Sequence, residues 1–138
     1  MTYNEERRDL FSVPKDYVLV HCISADCAMG AGIAREFTKR GVKSYIQTHV
    51  SPAELVVGNC VVTHATDWVA ECNLITKAHY WEKPTYETLE AALNSLKQKG
   101  FTKLAMPLIG CGLDKLSWQN VSAMVKTIDA DILVCRKD

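Results

Sequence analysis

The longest apolar signal in the chain is Tyr17-Val-Leu-Val-His-Cys-Ile23. A continuous run of β-branched and aromatic residues predicts a strand buried on both faces. Similar runs predict strands over Trp68–Thr76, Lys103–Leu108 and Asp131–Cys135. Leu55–Thr63 reads as a strand interrupted at Gly58-Asn59 by a bulge or hairpin turn, and Tyr3–Glu6 is a weaker strand signal. Helical spacing fills the gaps. Ile33, Ala34 and Phe37 share one face of a helix over Gly32–Lys39 that Gly41 ends, and a shorter helix is predicted over Val42–Thr48. Thr85 is placed to cap a helix in which Tyr86, Leu89, Leu93 and Leu96 recur at helical intervals, with Glu87 in the first turn and Gly100 closing it. Ser117 opens a last helix with Trp118, Val121, Val125 and Ile128 inward.

Strands that alternate with helices predict an α/β fold with a largely parallel or mixed sheet between helical layers. The chain has no linker, repeat or low-complexity tract, so residues 1–138 are read as a single domain. Ligands of such folds sit beyond the carboxyl ends of the strands, which directs attention to the loops after Ile23 and after Leu108.

Composition narrows the function classes. With 138 residues, 48% hydrophobic and 23% charged, the chain suits one soluble domain and excludes a disordered or coiled-coil protein. Sixteen basic residues balance sixteen acidic ones, so the basic excess of a phosphate-coating protein is missing. The local cluster Arg35, Lys39, Arg40 and Lys43 reads as a solvated helix face. No segment approaches the roughly 20 apolar residues of a membrane span, and Met1–Asp9 is too polar for an export signal. The six cysteines form no C-x-x-C pair; they are expected to be reduced thiols in a cytoplasmic-type compartment. His64 and His79 lack metal-ligand spacing, and His21 is expected to be a core residue. Neither a metal nor a cofactor is expected, and the protein is expected to act as a monomer without membrane contact.

Four of the seven glycines fall in two clusters, Gly30-Ala31-Gly32 and Gly110-Cys111-Gly112, each between a predicted strand and a helix. Glycine lets backbone N–H groups approach an anion closely, and a helix N-terminus adds positive potential. Two such loops side by side would cradle a diphosphate without lysines; equally, each could be a plain turn. Arg35 stands where a dinucleotide fingerprint needs its third glycine, and neither loop carries Gly-Lys-Ser/Thr.

Several segments together resemble one known family. They are Asp9-Leu-Phe, His21-Cys-Ile-Ser-Ala-Asp-Cys-Ala-Met-Gly-Ala-Gly-Ile-Ala34, Leu74-Ile-Thr-Lys77, Lys83-Pro-Thr-Tyr86, Met106-Pro-Leu-Ile-Gly-Cys-Gly-Leu-Asp114 and Asn120-Val-Ser-Ala-Met124. In this order they resemble a macro domain, and most of all its terminal ADP-ribose protein glycohydrolase branch. Arg8 departs from the family's usual glycine, Leu108 stands where a relative has arginine, and residues 49–69 match little of the family pattern.

The resemblance implies a three-layer α/β/α sandwich with a mixed central sheet and a cleft for ADP-ribose. It places Asp9 and Leu10 at the adenine end. Ser24 and the loop Met29, Gly30, Ala31, Gly32 and Ile33 would line the ribose and diphosphate. Leu108, Ile109, Gly110, Cys111, Gly112 and Leu113 would wrap the diphosphate and distal ribose. It further implies that Lys77 is a nucleophile and Asp114 an acid/base.

The chemistry of those groups fits a hydrolase. An amine of ordinary lysine pKa, about 10.4, is a poor nucleophile at neutral pH, and partial burial frees its lone pair. Such an amine can form a Schiff base with the anomeric carbon of the distal ribose, while a carboxyl group moves the protons. Without the resemblance, Lys77 reads as a solvated strand-end charge and Asp114 as a turn cap before Ser117. Three activities are therefore expected in competition. The first is removal of ADP-ribose from a protein carboxylate ester, a nucleic acid or a small ester. The others are hydrolysis of ADP-ribose 1″-phosphate and binding without turnover. Cys111 reads as a small loop residue, and Tyr80 or Trp81 as a contact on the acceptor side.

Overall fold

The computed structural model describes residues 1–137. Its strands are β1 (Tyr3–Arg7), β2 (Val18–Ser24), β3 (Cys60–Thr63), β4 (Ala70–Lys77), β5 (Lys103–Met106) and β6 (Asp131–Arg136). Its helices are α1 (Gly32–Lys39), α2 (Val42–His49), α3 (Tyr86–Gln98) and α4 (Trp118–Val125). The strands form one sheet in the order β1-β6-β5-β2-β4-β3, parallel except for the antiparallel β3–β4 pair. The sheet is mixed, as expected.

Alternation within β2 builds the two faces. Val18 and Val20 point into a core with Leu89, Leu93 and Leu96 of α3 and Val121 and Val125 of α4. Leu19 and Ile23 point the other way, against Phe37 of α1 and Val42 and Ile46 of α2. Three layers result. Each fully buried leucine or isoleucine contributes on the order of 2 kcal/mol by leaving water, and this is why the continuous apolar run had to be an interior strand. β1 carries Tyr-Asn-Glu-Glu-Arg and is mostly exposed. Its parallel register with β6, Tyr3 opposite Ile132 through Arg7 opposite Arg136, makes it a strand despite its polar composition.

The boundaries differ where backbone chemistry intervenes. β5 ends at Met106, not Leu108, because Pro107 has no N–H for the ladder. Leu55–Val57 lie outside any strand: Leu55 closes a 3-10 turn over Pro52–Glu54, and only Cys60–Thr63 pair regularly. Gly58 and Asn59 still touch β4, through Gly58 N–H to Ile75 O (2.7 Å) and Ile75 N–H to Asn59 O (2.9 Å). β4 begins at Ala70, since the Trp68 N–H turns to Thr66 Oγ1 and its indole N–H to Val13 O. Ser117 flanks α4 without a side-chain cap, and Ile128 lies beyond the helix. Thr85 caps α3 as expected, and Gly100 (φ +74°) follows it.

The topology positions the site. After β2 the chain goes to β4 on one side, then crosses to β5 on the other. The order thus reverses at β2, and the crevice at a reversal opens beyond the carboxyl ends of the parallel strands. Both glycine loops, after β2 and after β5, lie there.

Candidate functional site

A cleft of about 1020 Å³ opens at these strand ends, lined by residues that follow β2, β4, β5 and β6. It contains Ser24, Met29, Gly30, Ala31, Gly32 and Ile33 from the first loop and Leu108, Ile109, Gly110, Cys111, Gly112 and Leu113 from the second, together with Lys77 and Asp114. Asp9 and Leu10 do not line it. They border a second, small cavity of about 70 Å³ that shares Ile33, Pro107, Cys135 and Lys137 with the main cleft. Asp9 Oδ1 accepts from Phe11 N–H (3.0 Å), capping a 3-10 turn, and Leu10 is buried.

The first loop is shaped from behind. Lys43 Nζ donates to Ala28 O (3.0 Å), and Thr38 Oγ1 donates to Met29 O (2.9 Å). Met29 adopts φ +50°, a conformation disfavoured for a side-chain-bearing residue. Its buried thioether and captured carbonyl hold it there. With those carbonyls drawn toward α1 and α2, the N–H groups of Met29, Gly30 and Ala31 have no partner among the described residues. In the second loop the N–H groups of Gly112 and Leu113 are likewise unpartnered. These are donor rows of the kind that bind oxyanions. The helix-face basic cluster is mostly occupied: Lys39 and Arg40 pair with Glu36, and Lys43 serves the loop.

Lys77 ends β4, and its Nζ donates to Asp114 Oδ1 at 2.7 Å. Both side chains are mostly withdrawn from water, at 15% and 16% exposure. Asp114 therefore does not serve as a turn cap. The ends of β2 and β4 are tied by Ala25 N–H to Lys77 O (2.9 Å) and Asp26 N–H to Ala78 O (3.2 Å), so the lysine projects from a fixed backbone.

Asp26, given no role from the sequence, braces the loops behind the cleft. Its carboxylate accepts from Ser24 Oγ, Ala28 N–H (3.1 Å) and Tyr80 N–H (3.0 Å), joining the loop after β2 to the loop after β4. Burial pushes its pKa up, but these donors outweigh that and hold the carboxyl below the ordinary aspartate range. The signal was the Ser-x-Asp-x-x spacing just before the glycines, which suits an Asx turn.

Cys22 and Cys111 also line the cleft, and burial raises both thiols, with the Asp114 charge adding to the effect at Cys22. Neither is activated as a thiolate, in keeping with Cys111 as a small loop residue. All six cysteines are free. At the rim beside Lys77, Tyr80 and Trp81 are exposed and pack edge to face (5.1 Å); Tyr80 reaches the cleft wall.

A family model described as Macro domain matches residues 20–125. The human ADP-ribose glycohydrolase OARD1 is 44% identical over 126 residues, covering 87% of this chain and 79% of its own. The Bos taurus protein of the same name is 43% identical over the same length and coverage. Among solved structures, the macrodomain of Thermus aquaticus DarG has a TM-score of 0.81 at 21% identity, covering 98% of this chain and 97% of that one. The macrodomain of Mycobacterium tuberculosis DarG has a TM-score of 0.79 at 23% identity, covering 97% and 95%. At such identities the solved structures speak for the fold alone.

Proposed function

The chain belongs to the macro domain family, and from that premise we propose that it is a hydrolase releasing ADP-ribose from a modified acceptor. The observation that carries this reading is the Lys77–Asp114 contact of 2.7 Å at the wall of the cleft. The 44% identical human relative is named an ADP-ribose glycohydrolase, which fits the same reaction class. The unpartnered N–H rows of the two loops suit the diphosphate, and the small cavity at Asp9 and Leu10 suits the adenosine end.

In this reading Asp114 takes a proton from the Lys77 ammonium as substrate enters. The freed Nζ attacks C1″ of the distal ribose, and the acceptor departs with the bonding electron pair and the proton held by Asp114, which returns to carboxylate. The ribose ring then opens, leaving C1″ as a Schiff base on Nζ. Water adds to that carbon, with Asp114 accepting its proton, and the amine leaves. Ring closure gives ADP-ribose, and Lys77 regains its proton. A protein carboxylate ester supplies a good leaving group for the first step, and a nucleic acid base is the second acceptor this chemistry admits. The protein acts as a monomer in a reducing, cytoplasmic compartment, which suits its free thiols.

The test incubates the protein with an ADP-ribosylated glutamate peptide, ADP-ribosylated thymidine DNA and ADP-ribose 1″-phosphate, and measures free ADP-ribose. Release from the peptide or the DNA is expected. Release from the 1″-phosphate alone would make the protein a phosphatase. Release from none, with ADP-ribose binding intact by calorimetry, would make it a binding module.

A further inference from the structure

The Lys83-Pro-Thr-Tyr86 segment has no part in the chemistry above, yet its two polar ends grip the loop that carries Asp114. Lys83 Nζ donates to the Leu113 carbonyl at 2.6 Å. The Tyr86 hydroxyl accepts from Ser117 N–H at 3.0 Å and from the Asn120 side-chain amide at 3.3 Å. One handle falls immediately before Asp114 and the other three residues after it.

The gripping segment is itself braced. Thr85 and Thr88 form a reciprocal capping box at the start of α3. His79 N–H donates to Glu82 Oε1 (2.7 Å), and Glu82 N–H to His79 O (3.0 Å). Tyr86 packs against the α3–α4 core. The gripped loop has far less of its own. From Gly110 to Leu116 its internal backbone bonds are Lys115 N–H to Gly112 O and Leu116 N–H to Gly110 O, with Cys111 N–H to Leu108 O behind them. Lys115 sits at φ +64°, disfavoured for a residue with a side chain, and Leu113 is 63% exposed. A loop with little burial and a strained turn opens readily unless held from outside.

We propose that Lys83 and Tyr86 are positioning residues that hold Asp114 against Lys77. This rests on the hydrolase reading for its catalytic consequence, though not for its structural one. Lys83 works through the Leu113 carbonyl, so a guanidinium at this position can replace it and an uncharged thioether cannot.

The experiment compares Lys83→Met, Lys83→Arg and Tyr86→Phe with the unaltered protein by amide hydrogen exchange and by steady-state release of ADP-ribose. For Lys83→Met, exchange of the bonded Lys115 and Leu116 amides is expected to quicken about tenfold or more, as loss of a charged hydrogen bond implies, with β2 and β4 unchanged. The kcat is expected to fall about tenfold while KM stays within about threefold. Lys83→Arg should restore both, and Tyr86→Phe should give a smaller effect in the same sense. Unchanged loop exchange in both Lys83→Met and Tyr86→Phe overturns the proposal. A fall in kcat or a rise in KM without loop loosening also overturns it, since Lys83 would then touch substrate directly. If the unaltered protein releases no ADP-ribose from any acceptor, the hydrolase reading fails and the exchange result alone decides the clamp.

Discussion

Lys77 at the end of β4 and Asp114, 37 residues further on, meet at 2.7 Å with little water around either. Their closeness makes Asp114→Asn informative: the amide can take no proton and leaves the ammonium without a counter-charge. Release of ADP-ribose is expected to fall about 10²- to 10⁴-fold, while ADP-ribose affinity should change little because the backbone N–H groups proposed to hold the diphosphate remain. Kinetics and calorimetry on the one variant check both halves.

Gly110 shapes the second loop. Its φ is +74°, and an added Cβ would lie 3.1 Å from Leu116 Cδ1 and 3.3 Å from Leu89 Cδ2. Gly110→Ala is expected to destabilise the fold by about 1–3 kcal/mol, from the left-handed backbone and the crowding together. Weaker ADP-ribose binding should accompany it. Urea denaturation and calorimetry measure the two effects.

Glu71 is fully buried and accepts from Thr63 Oγ1 (2.9 Å), Ala65 N–H (2.8 Å), Thr66 N–H (3.2 Å) and Thr66 Oγ1 (2.6 Å). It closes the β3–β4 hairpin from within. Glu71→Ala would strand these donors and is expected to cost about 3 kcal/mol or more. Glu71→Gln, which keeps one acceptor oxygen, should cost less. The difference in urea midpoints at constant slope is the readout.

His21 is buried, stacks on Phe37 at 3.7 Å between ring centroids and bonds Asn73 Oδ1 through Nε2 (2.6 Å). Burial lowers its pKa from 6.5 to about 4, against a smaller opposing effect of the Asn73 bond. Between those values the unfolded chain binds the proton and the folded one does not. Stability is therefore expected to be full above pH 6.5 and to fall by roughly 3 kcal/mol as the pH drops to 4. His21→Gln should flatten that part of a plot of stability against pH.

Much of the layering was legible because β2 and α3 carry clear periodicity, and the glycine loops stood out against a chain poor in glycine. β1 was faint, since register with β6 rather than apolar content makes it a strand. Leu55–Val57 misled because hydrophobic residues near a glycine look like strand whether or not they pair. The cleft residues of both loops were readable from motif and resemblance together. The Lys77–Asp114 contact was not derivable from spacing, because it depends on β4 and the loop after β5 flanking β2. The reach of Asp26 to Tyr80, the buried acceptor role of Glu71 and the grip of Lys83 were invisible for a related reason. Each acts through hydrogen bonds to backbone groups remote in sequence or hidden by the fold.

Reductive trapping addresses the nucleophile most directly. The protein is mixed with ADP-ribosylated glutamate peptide in the presence of borohydride, and the modified residue is located by peptide mass mapping. One substrate-dependent ADP-ribose adduct is expected, on Lys77. Lys77→Ala should form none and lose release on the order of 10³-fold or more, while still binding ADP-ribose. Turnover by Lys77→Ala at the unaltered rate, or an adduct confined to another residue, would contradict Lys77 as the nucleophile.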